Sequence, residues 1–209
     1  MKIKHWIIFL IILSSILSMV SFKYLPDRIA THWNIDGIVN GYGDRLSNAI
    51  MFPLMMLFVV VLLYVVPLID PLRKNVESFR KHYEQFILFF CIFFLYVQVL
   101  TLVWNLGYRY NLSKMMFPGL GLMMYFVGDF LKHTKRNWFA GIRTPWTLHS
   151  DIIWKKTHDL GSKLFKASGI IMIFGIFFEN NLIVFIPLFA AVMITIGYSY
   201  MLYRKTKSP

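Results

Sequence analysis

The sequence predicts an all-α, polytopic membrane protein with about six transmembrane helices. Hydrophobic residues make up 57% of the 209 residues and charged residues only 15%, whereas soluble domains carry about 25% charge. The mean hydropathy is +0.58, and several uncharged runs approach the ~20 residues that cross a bilayer. This composition excludes a disordered chain, a coiled coil and an ordinary soluble enzyme. The length leaves no room for a large extramembrane catalytic domain.

Six apolar runs follow one another along the chain, at residues 6–22, 46–69, 85–108, 115–131, 164–178 and 180–203. The first follows Lys2 and Lys4 as a signal peptide would, but it lacks an Ala-x-Ala cleavage site and is interpreted as an uncleaved span. The fifth run is short, so its helix is expected to begin in the polar segment before it. The short link at 179–181 predicts an antiparallel hairpin of the last two helices.

The distribution of lysine and arginine predicts the orientation in the plasma membrane. With six spans, the side that carries both termini holds 17 of the 22 basic residues and the other side holds 5. The positive-inside rule therefore predicts cytoplasmic termini. The net charge of +12 is attributed to residues that flank the spans and meet anionic lipid, rather than to nucleic acid.

The chain is predicted to have three segments. Residues 1–70 form a two-span unit with an external loop at 23–45, and residues 71–131 form the third and fourth spans. Residues 132–209 form a polar cytoplasmic segment and the last two spans. The single Cys91 excludes a disulfide or a cysteine zinc site within one chain, and no cofactor or metal is predicted.

The external loop contains candidate ligand residues. His32, Asn34 and Asp36 occupy every second position, separated by Trp33 and Ile35, and would project to one face of an extended strand. An imidazole and a carboxylate on one face could hold a cation or a polar ligand, although a metal site needs three or four ligands. The alternative is a small ordered cap whose polar side chains bond its own turns, as the turn-forming Asp36–Gly37 pair favours.

The polar segment after the fourth run is predicted to begin a new helix. Pro145 should break any helix that arrives from the fourth span. Thr147 or Ser150 can cap the next helix, with Asp151 favoured in its first turn. Three tryptophans within 17 residues indicate that this segment lies at the membrane interface.

On this predicted helix Asp151, Trp154 and His158 fall on one stripe. Together with Trp146 they are interpreted as a polar-aromatic platform, on which Arg143 is a bidentate donor for a carboxylate or phosphate. The alternative is a juxtamembrane helix anchored by tryptophan. In that case Arg143 binds lipid headgroups or a helix C-terminus.

Few polar groups lie within the predicted spans. A carboxylate at the bilayer centre costs roughly 2.5–3.5 kcal/mol, so Asp129 is expected to pair with Lys132 or Arg143, or else to be a proton or substrate site. Gln98 and Asn105 are interpreted as interhelical hydrogen-bonding groups. The sequence holds neither a Gly-x-Ser-x-Gly nor a His-Glu-x-x-His motif, and a non-enzyme is predicted. Gly119-x-Gly121 is interpreted as close helix packing or a kink.

The two polar segments resemble one known family. The cytoplasmic segment is similar to the signature of the SdpI family, which are membrane immunity proteins for a sporulation-delaying toxin peptide. The matching residues are Asn137, Gly141, Ile142, Arg143, Thr144, Pro145, Trp146, Thr147, Leu148, Ser150, Asp151 and Trp154. The external pattern resembles the domain of unknown function that often precedes this signature, through Leu25, Pro26, His32, Trp33, Asn34, Asp36 and Gly37. One departure is Gly128–Asp129, where the family resemblance implies Gly–Asn.

The resemblance implies a membrane protein that protects its producer from a secreted antimicrobial peptide. It also implies a second role, in which the ligand-bound protein holds a cytoplasmic transcriptional repressor at the membrane. The predicted partners are therefore a toxin peptide, a repressor and the lipid bilayer, without direct nucleic acid. Two alternatives stay open: a small transporter or membrane enzyme that uses Asp129 and Arg143 with His158, and a lipid-organising protein without a ligand.

Overall fold

The structure, a computed structural model, describes residues 2–207 as a helical bundle with one two-stranded sheet at one end. Met1, Ser208 and Pro209, at the outer ends of the first and last predicted segments, lie outside the described residues. The long helices are α1 (Ile3–Phe22), α2 (Arg45–Val65), α4 (Arg80–Asn105), α5 (Leu112–His133), α7 (Asp151–Ile173) and α8 (Ile186–Lys207). The short elements are β1 (Arg28–Trp33), β2 (Val39–Asp44), α3 (Arg73–Ser78), α6 (Pro145–His149) and 3-10 turns at Val66–Ile69, Phe174–Phe177 and Ile183–Phe185.

Within the described chain, five helices are long and apolar enough to cross a membrane. They lie at Ile3–Phe22, Arg45–Ile69, Arg80–Asn105, Asp151–Phe177 and Ile183–Thr206, which correspond to five of the six predicted runs. The helical membrane fold is thus confirmed. The predicted fourth span, α5, is not among the five, so the count of six spans stays a prediction. Its 22 residues correspond to about 33 Å.

The helices form a continuous series of neighbours. α1 packs against α2 and α4, α4 against α5, α5 against α7, and α7 against α8, whereas α2 and α7 make at most marginal contact. α5 runs antiparallel to α4, because Tyr96 contacts Met115 near one end and Phe86 stacks on Phe130 near the other. α5 therefore connects the same two ends of the bundle as the apolar helices.

Glycine allows α5 and α7 to cross with their backbones in contact. A Cβ on Gly121 would lie 2.5 Å from the Gly169 carbonyl oxygen, and a Cβ on Gly169 would lie 2.6 Å from the Gly121 carbonyl oxygen. A Cβ on Gly128 would lie 2.8 Å from the Ser162 carbonyl oxygen. Small residues at helix crossings are typical of membrane bundles. The predicted close packing at Gly121 is thus present, whereas Gly119 faces Tyr96 on α4.

A buried amide joins α1 to α4, as predicted for Gln98. The Gln98 side chain is fully buried; its Oε1 accepts from the Ser14 hydroxyl at 2.7 Å. Its Nε2 donates to the Ser14 carbonyl and to the Ser18 hydroxyl, both at 3.0 Å. These bonds satisfy the fully buried amide and join the two helices.

The bundle has two structured ends. The hairpin end contains the β1–β2 hairpin and the loops at 106–111 and 178–185. The loop end contains α3 and the signature loop, which is defined as residues 134–150. α5 stops at His133, before the predicted break at Pro145, which is instead the first residue of α6. Ser150 caps α7 and Asp151 lies in its first turn, as predicted.

Candidate functional site

Asn137 organises the start of the signature loop. Its side chain is fully buried. Its Oδ1 accepts from the backbone N–H groups of Phe139 at 2.9 Å and Ala140 at 2.6 Å. Its Nδ2 donates to the carbonyls of Lys135 and Ala140, both at 2.8 Å. The amide thus uses both donors and both acceptor positions, which neither an apolar side chain nor a carboxylate can reproduce.

The signature loop is fastened to the segment between α2 and α3. The Asp70 carboxylate, 3% exposed, accepts from the backbone N–H of Leu72 at 2.7 Å and of Trp138 at 2.9 Å. The Asn75 amide donates to the Arg136 carbonyl at 2.7 Å. Sequence reasoning missed both Asp70, which directly follows the second apolar run, and Asn75. A carboxylate directly before a proline and a helix was the available signal.

His158 and Trp154 form a buried ring pair beneath the loop. Their rings stack with centroids 4.0 Å apart. His158 Nε2 accepts from the Ile142 N–H at 2.9 Å, so its Nδ1 carries the proton and donates to the Trp154 carbonyl at 2.8 Å. Trp154 Nε1 donates to the Thr134 carbonyl at 3.1 Å. Both imidazole nitrogens are therefore engaged by backbone, which leaves His158 no free nitrogen for a ligand.

The next turn of the signature loop is joined to α8. Thr144 and Thr147 form a capping box at the start of α6, with the Thr144 N–H donating to Thr147 Oγ1 at 2.9 Å. The Thr144 hydroxyl also lies 3.1 Å from the Ser199 hydroxyl on α8. Trp146 packs on Tyr200 with ring centroids 5.0 Å apart. The signature loop is thus joined to the C-terminal helix α8 through Thr144 and Trp146.

Arg143 and Asp151 lie apart from the buried ring pair. Arg143 is exposed, and its Nη1 donates to the Trp138 carbonyl. Asp151, with a side chain that is 74% exposed, lies 2.9 Å from Arg136 Nε. The predicted platform is therefore not one surface: Trp154 and His158 lie beneath the loop, Trp146 packs on α8, and the charged members face outward.

Asp129 has a different partner from the two expected. Its Oδ1 lies 2.6 Å from Lys166 Nζ on α7, and not against Lys132 or Arg143. The reason is the glycine crossing, which brings α7 close enough for Lys166 to reach across. His133 Nδ1 lies 4.0 Å from the other carboxylate oxygen. Asp129 is 42% exposed at the loop end of α5, so it is an interhelical ion pair near the edge of the bundle.

Replacing Asp129 by asparagine should lower the free energy of unfolding by less than about 1 kcal/mol, because both members of the pair are partly exposed. Thermal unfolding of the purified protein in detergent measures this. The matched control is Lys166→Met, which should cost a similar amount. A loss above about 3 kcal/mol from either variant would show that the pair is a buried element of the core instead.

The polar residues of the hairpin bond its own turn. β1 ends at Trp33, so His32, Asn34 and Asp36 do not share the face of one strand as expected. Asn34 Oδ1 accepts from the N–H groups of Asp36 at 3.1 Å and Ile38 at 2.8 Å. Among residues 2–207 no three His, Cys, Asp or Glu side chains gather in a way that could hold a metal ion.

The Asn105 amide attaches the hairpin to α4. Asn105 Nδ2 donates to the Ala30 carbonyl at 3.0 Å, and Oδ1 accepts from the Ala30 N–H at 2.8 Å. Asn105 was expected to bond another helix, but it pairs with strand β1 as a neighbouring strand would. Trp33 packs edge-on against Trp104, with ring centroids 5.2 Å apart.

The turn of the hairpin is held by the other loops at the same end. Side chains of Asn111, Ser113 and Asn181 donate to successive carbonyls of residues 34–36 at 2.6–2.8 Å. Gly37 has φ +81°, and a Cβ there would overlap the Asn111 side chain. The hairpin is therefore a rigid cap that connects the N-terminal helices to α5 and α8.

Replacing Asn105 by alanine should release the hairpin from α4. The Ala30 N–H and carbonyl lose their partners, and a buried unsatisfied group costs about 1–3 kcal/mol. Hydrogen exchange of the β1 amides should become at least tenfold faster. The matched control is Asn40→Ala, which removes an exposed amide that is hydrogen-bonded to His32 of the same hairpin. Equal exchange in both variants would contradict this role of Asn105.

Two apolar surfaces face outward near the hairpin. Ile38 (63% exposed) and Tyr42 (54% exposed) lie on β2 and its turn, and the Arg28 guanidinium lies 4.9 Å above the Tyr42 ring. A groove of about 550 Å³ lies between α1 and α2. Its lining includes Ile11, Ser15, Phe22, Leu46, Ile50 and Leu57.

Hydrogen bonds from Ser47 hold the pKa of Asp44, which caps α2, below its ordinary value.

This arrangement is that of a helical, multi-pass protein of the plasma membrane with a hairpin cap and a docked loop. Residues 133–199 match the SdpI/YfhL protein family, and residues 9–57 match the domain of unknown function DUF1648. These matches confirm the predicted relationship to the SdpI family. The chain is 27% identical to the Immunity protein SdpI of Bacillus subtilis (strain 168) over 202 residues, 95% of this chain and 94% of that protein. No solved structure matches the chain.

Proposed function

We propose that this chain is a non-enzymatic membrane immunity protein that protects the cell from a secreted antimicrobial peptide. The observation that carries the proposal is the similarity to the Immunity protein SdpI over 95% of the chain. The alignment is long enough to include the hairpin, the bundle and the signature loop together. The same parts are joined by hydrogen bonds in this structure, which supports a common role for them.

We place the hairpin outside the cell and the signature loop in the cytoplasm. In this arrangement α5 also crosses the membrane, which brings the number of spans to six. The excess of basic residues at the loop end supports this orientation. Contacts of Asn105, Asn111 and Asn181 with the hairpin support α5 as a span, since they bring the connections before and after α5 and α7 to the expected end of the bundle.

In this orientation the hairpin is the first surface that a secreted peptide meets. The exposed Ile38 and Tyr42 offer apolar contact to the peptide. The α1–α2 groove beside the hairpin end offers a second apolar surface within the bilayer. A toxin peptide that is held there does not reach its target in the membrane. Protection in this proposal is therefore sequestration by binding and requires no catalysis.

The cytoplasmic repressor, in the same proposal, binds the outer face of α7. Ile152 is 64% exposed beside the exposed Lys155 and Lys156. Because the signature loop contacts α3, α7 and α8, a change in helix packing caused by the toxin peptide would also move this face. The signature residues therefore couple the two sides, and none of them is proposed to touch the peptide.

The test is site-specific cross-linking in cells. A photo-reactive amino acid is placed at Ile38, and at Ile152 as the matched control at the opposite end, and labelled sporulation-delaying toxin peptide is added outside. We expect a cross-linked product from Ile38 alone. A product from Ile152 alone, or from neither position while the protein is folded in the membrane, would contradict the proposed binding face.

The alternative of a small transporter or membrane enzyme has less support. Asp129 is paired with Lys166, and both nitrogens of His158 are engaged by backbone, so no shared site with Arg143 forms. Proton flux into liposomes separates the two functions. The immunity proposal predicts no flux above that of empty liposomes, whereas flux that is abolished by Asp129→Asn would favour a transporter.

A further inference from the structure

An apolar cleft of about 490 Å³ lies at the loop end, between α2 and α7. This volume is within the range of small-molecule sites, about 300–1,000 Å³. Its walls come from α2 and the turn after it, α4, α5 and α7. They include Leu62, Val66, Phe86, Val127, Leu131 and Phe165. Because α2 and α7 make at most marginal contact, the cleft opens between them.

The floor of this cleft is the signature loop. Residues Phe139, Ala140, Gly141 and Ile142 line it. Arg143 follows directly, and its Nη1 donates to the Trp138 carbonyl, so the two residues that flank the lining segment are joined to each other. Arg143 does not itself line the cleft, but its exposed guanidinium lies directly beside the lining segment in the same short loop.

Arg143 has donors to spare. A guanidinium carries five N–H donors, and the structure gives a hydrogen bond to one carbonyl for Arg143. The adjacent Trp138 is 51% exposed, as is typical of a tryptophan at the level of lipid headgroups. An apolar cleft that opens to lipid, beside an exposed guanidinium with further N–H donors, is complementary to an anionic lipid.

We propose that this cleft binds one anionic phospholipid of the inner leaflet. An acyl chain lies between α2 and α7, and the phosphate is bound by Arg143. The lipid would support the signature loop from the membrane side, as Trp154 and His158 support it from within. A toxin peptide is the less suitable occupant, because the cleft lies at the opposite end from the hairpin. A second copy of the chain would bring its own excess of positive charge to the same surface.

Native mass spectrometry of the full chain in detergent tests this inference. The protein is titrated with phosphatidylglycerol and, separately, with phosphatidylcholine of the same acyl chains. We expect one phosphatidylglycerol bound per chain, at least tenfold more tightly than phosphatidylcholine, because phosphatidylglycerol has a net negative charge whereas the choline ammonium of phosphatidylcholine offsets the charge of its phosphate. The measurement does not depend on toxin protection, so it can succeed or fail independently of the proposed function.

Variants separate the two parts of the site. Val127→Trp fills the cleft and should weaken binding of both lipids about tenfold, and Leu62→Trp does so from the opposite wall if the first variant does not fold. Arg143→Gln should weaken phosphatidylglycerol about tenfold and phosphatidylcholine less, because the choline ammonium already offsets the phosphate charge of the second lipid. The matched controls are Val192→Trp on the outer face of α8 and Lys155→Gln on exposed α7, which should keep the affinity of the native chain.

Three results would overturn the inference. The first is equal affinity for the two lipids in the native chain. The second is phosphatidylglycerol binding that is unaffected by both cleft-filling variants. The third is a dimer in the same spectra that Val127→Trp converts to a monomer without loss of lipid, which would assign the cleft to a second copy of the chain.

Discussion

Replacing Gly141 by alanine should release the signature loop from α7 and lower the free energy of unfolding by roughly 3 kcal/mol. Gly141 has φ +118°, a conformation that L side chains rarely adopt, and its Cβ would lie 2.5 Å from His158 Nε2. The backbone strain and the overlap add, because the ring of His158 is held by hydrogen bonds on both sides and cannot move away. Thermal unfolding in detergent measures the loss.

Gly107 is the matched control for this substitution. It also has a positive φ, +109°, but no atom lies within 4 Å of the position of its Cβ. Gly107→Ala should therefore show the backbone cost alone, about 1 kcal/mol. The difference between the two variants is the cost of the overlap with the buried ring pair. Equal losses of unfolding free energy in Gly141→Ala and Gly107→Ala would mean that the signature loop can move away from His158 without cost, so that His158 does not hold the loop.

Replacing Gly169 by alanine should separate α5 from α7, with a loss of about 3 kcal/mol or more. The added Cβ would lie 2.6 Å from the Gly121 carbonyl oxygen and 2.7 Å from the Tyr125 backbone nitrogen. Backbone atoms cannot adopt another rotamer, so the helices themselves must move apart along the most extensive interface of the bundle. The Asp129–Lys166 pair across the same interface should lengthen as a consequence.

Gly197 on α8 is the matched control for Gly169. A Cβ at Gly197 has no atom within 4 Å, and alanine is favoured over glycine within a helix by about 1 kcal/mol. Gly197→Ala should therefore leave stability unchanged or raise it slightly. Melting temperatures of the two variants, measured by size-exclusion after heating, check both expectations. A stable, correctly folded Gly169→Ala protein would contradict the glycine crossing.

The helices and their caps could be predicted from the sequence because they depend on neighbours along the chain. The apolar runs predicted five of the long helices. Ser150 before Asp151 marked the start of α7, where a hydroxyl accepts from the first turn. The relationship to the SdpI family was also predictable, since it rests on local motifs.

The partners of the polar residues could not be predicted, because they come from distant parts of the chain. Asp129 pairs with Lys166 across the glycine crossing, and Asp70 accepts from Trp138 across two segments. The prediction that His32, Asn34 and Asp36 share one face of a strand was wrong for a related reason. The strand ends one residue after His32, since Asn34 forms the turn that the other loops then hold.

The survival of toxin-treated cells tests the proposed immunity most directly. The chain is expressed in a bacterium that is sensitive to the sporulation-delaying toxin peptide, beside Asn105→Ala and Gly197→Ala at equal abundance in the membrane. We predict that the native chain and Gly197→Ala protect the cells, whereas Asn105→Ala, with its hairpin released, does not. Death of cells that hold the folded native chain, at the same peptide concentration as cells without it, would contradict the proposed function.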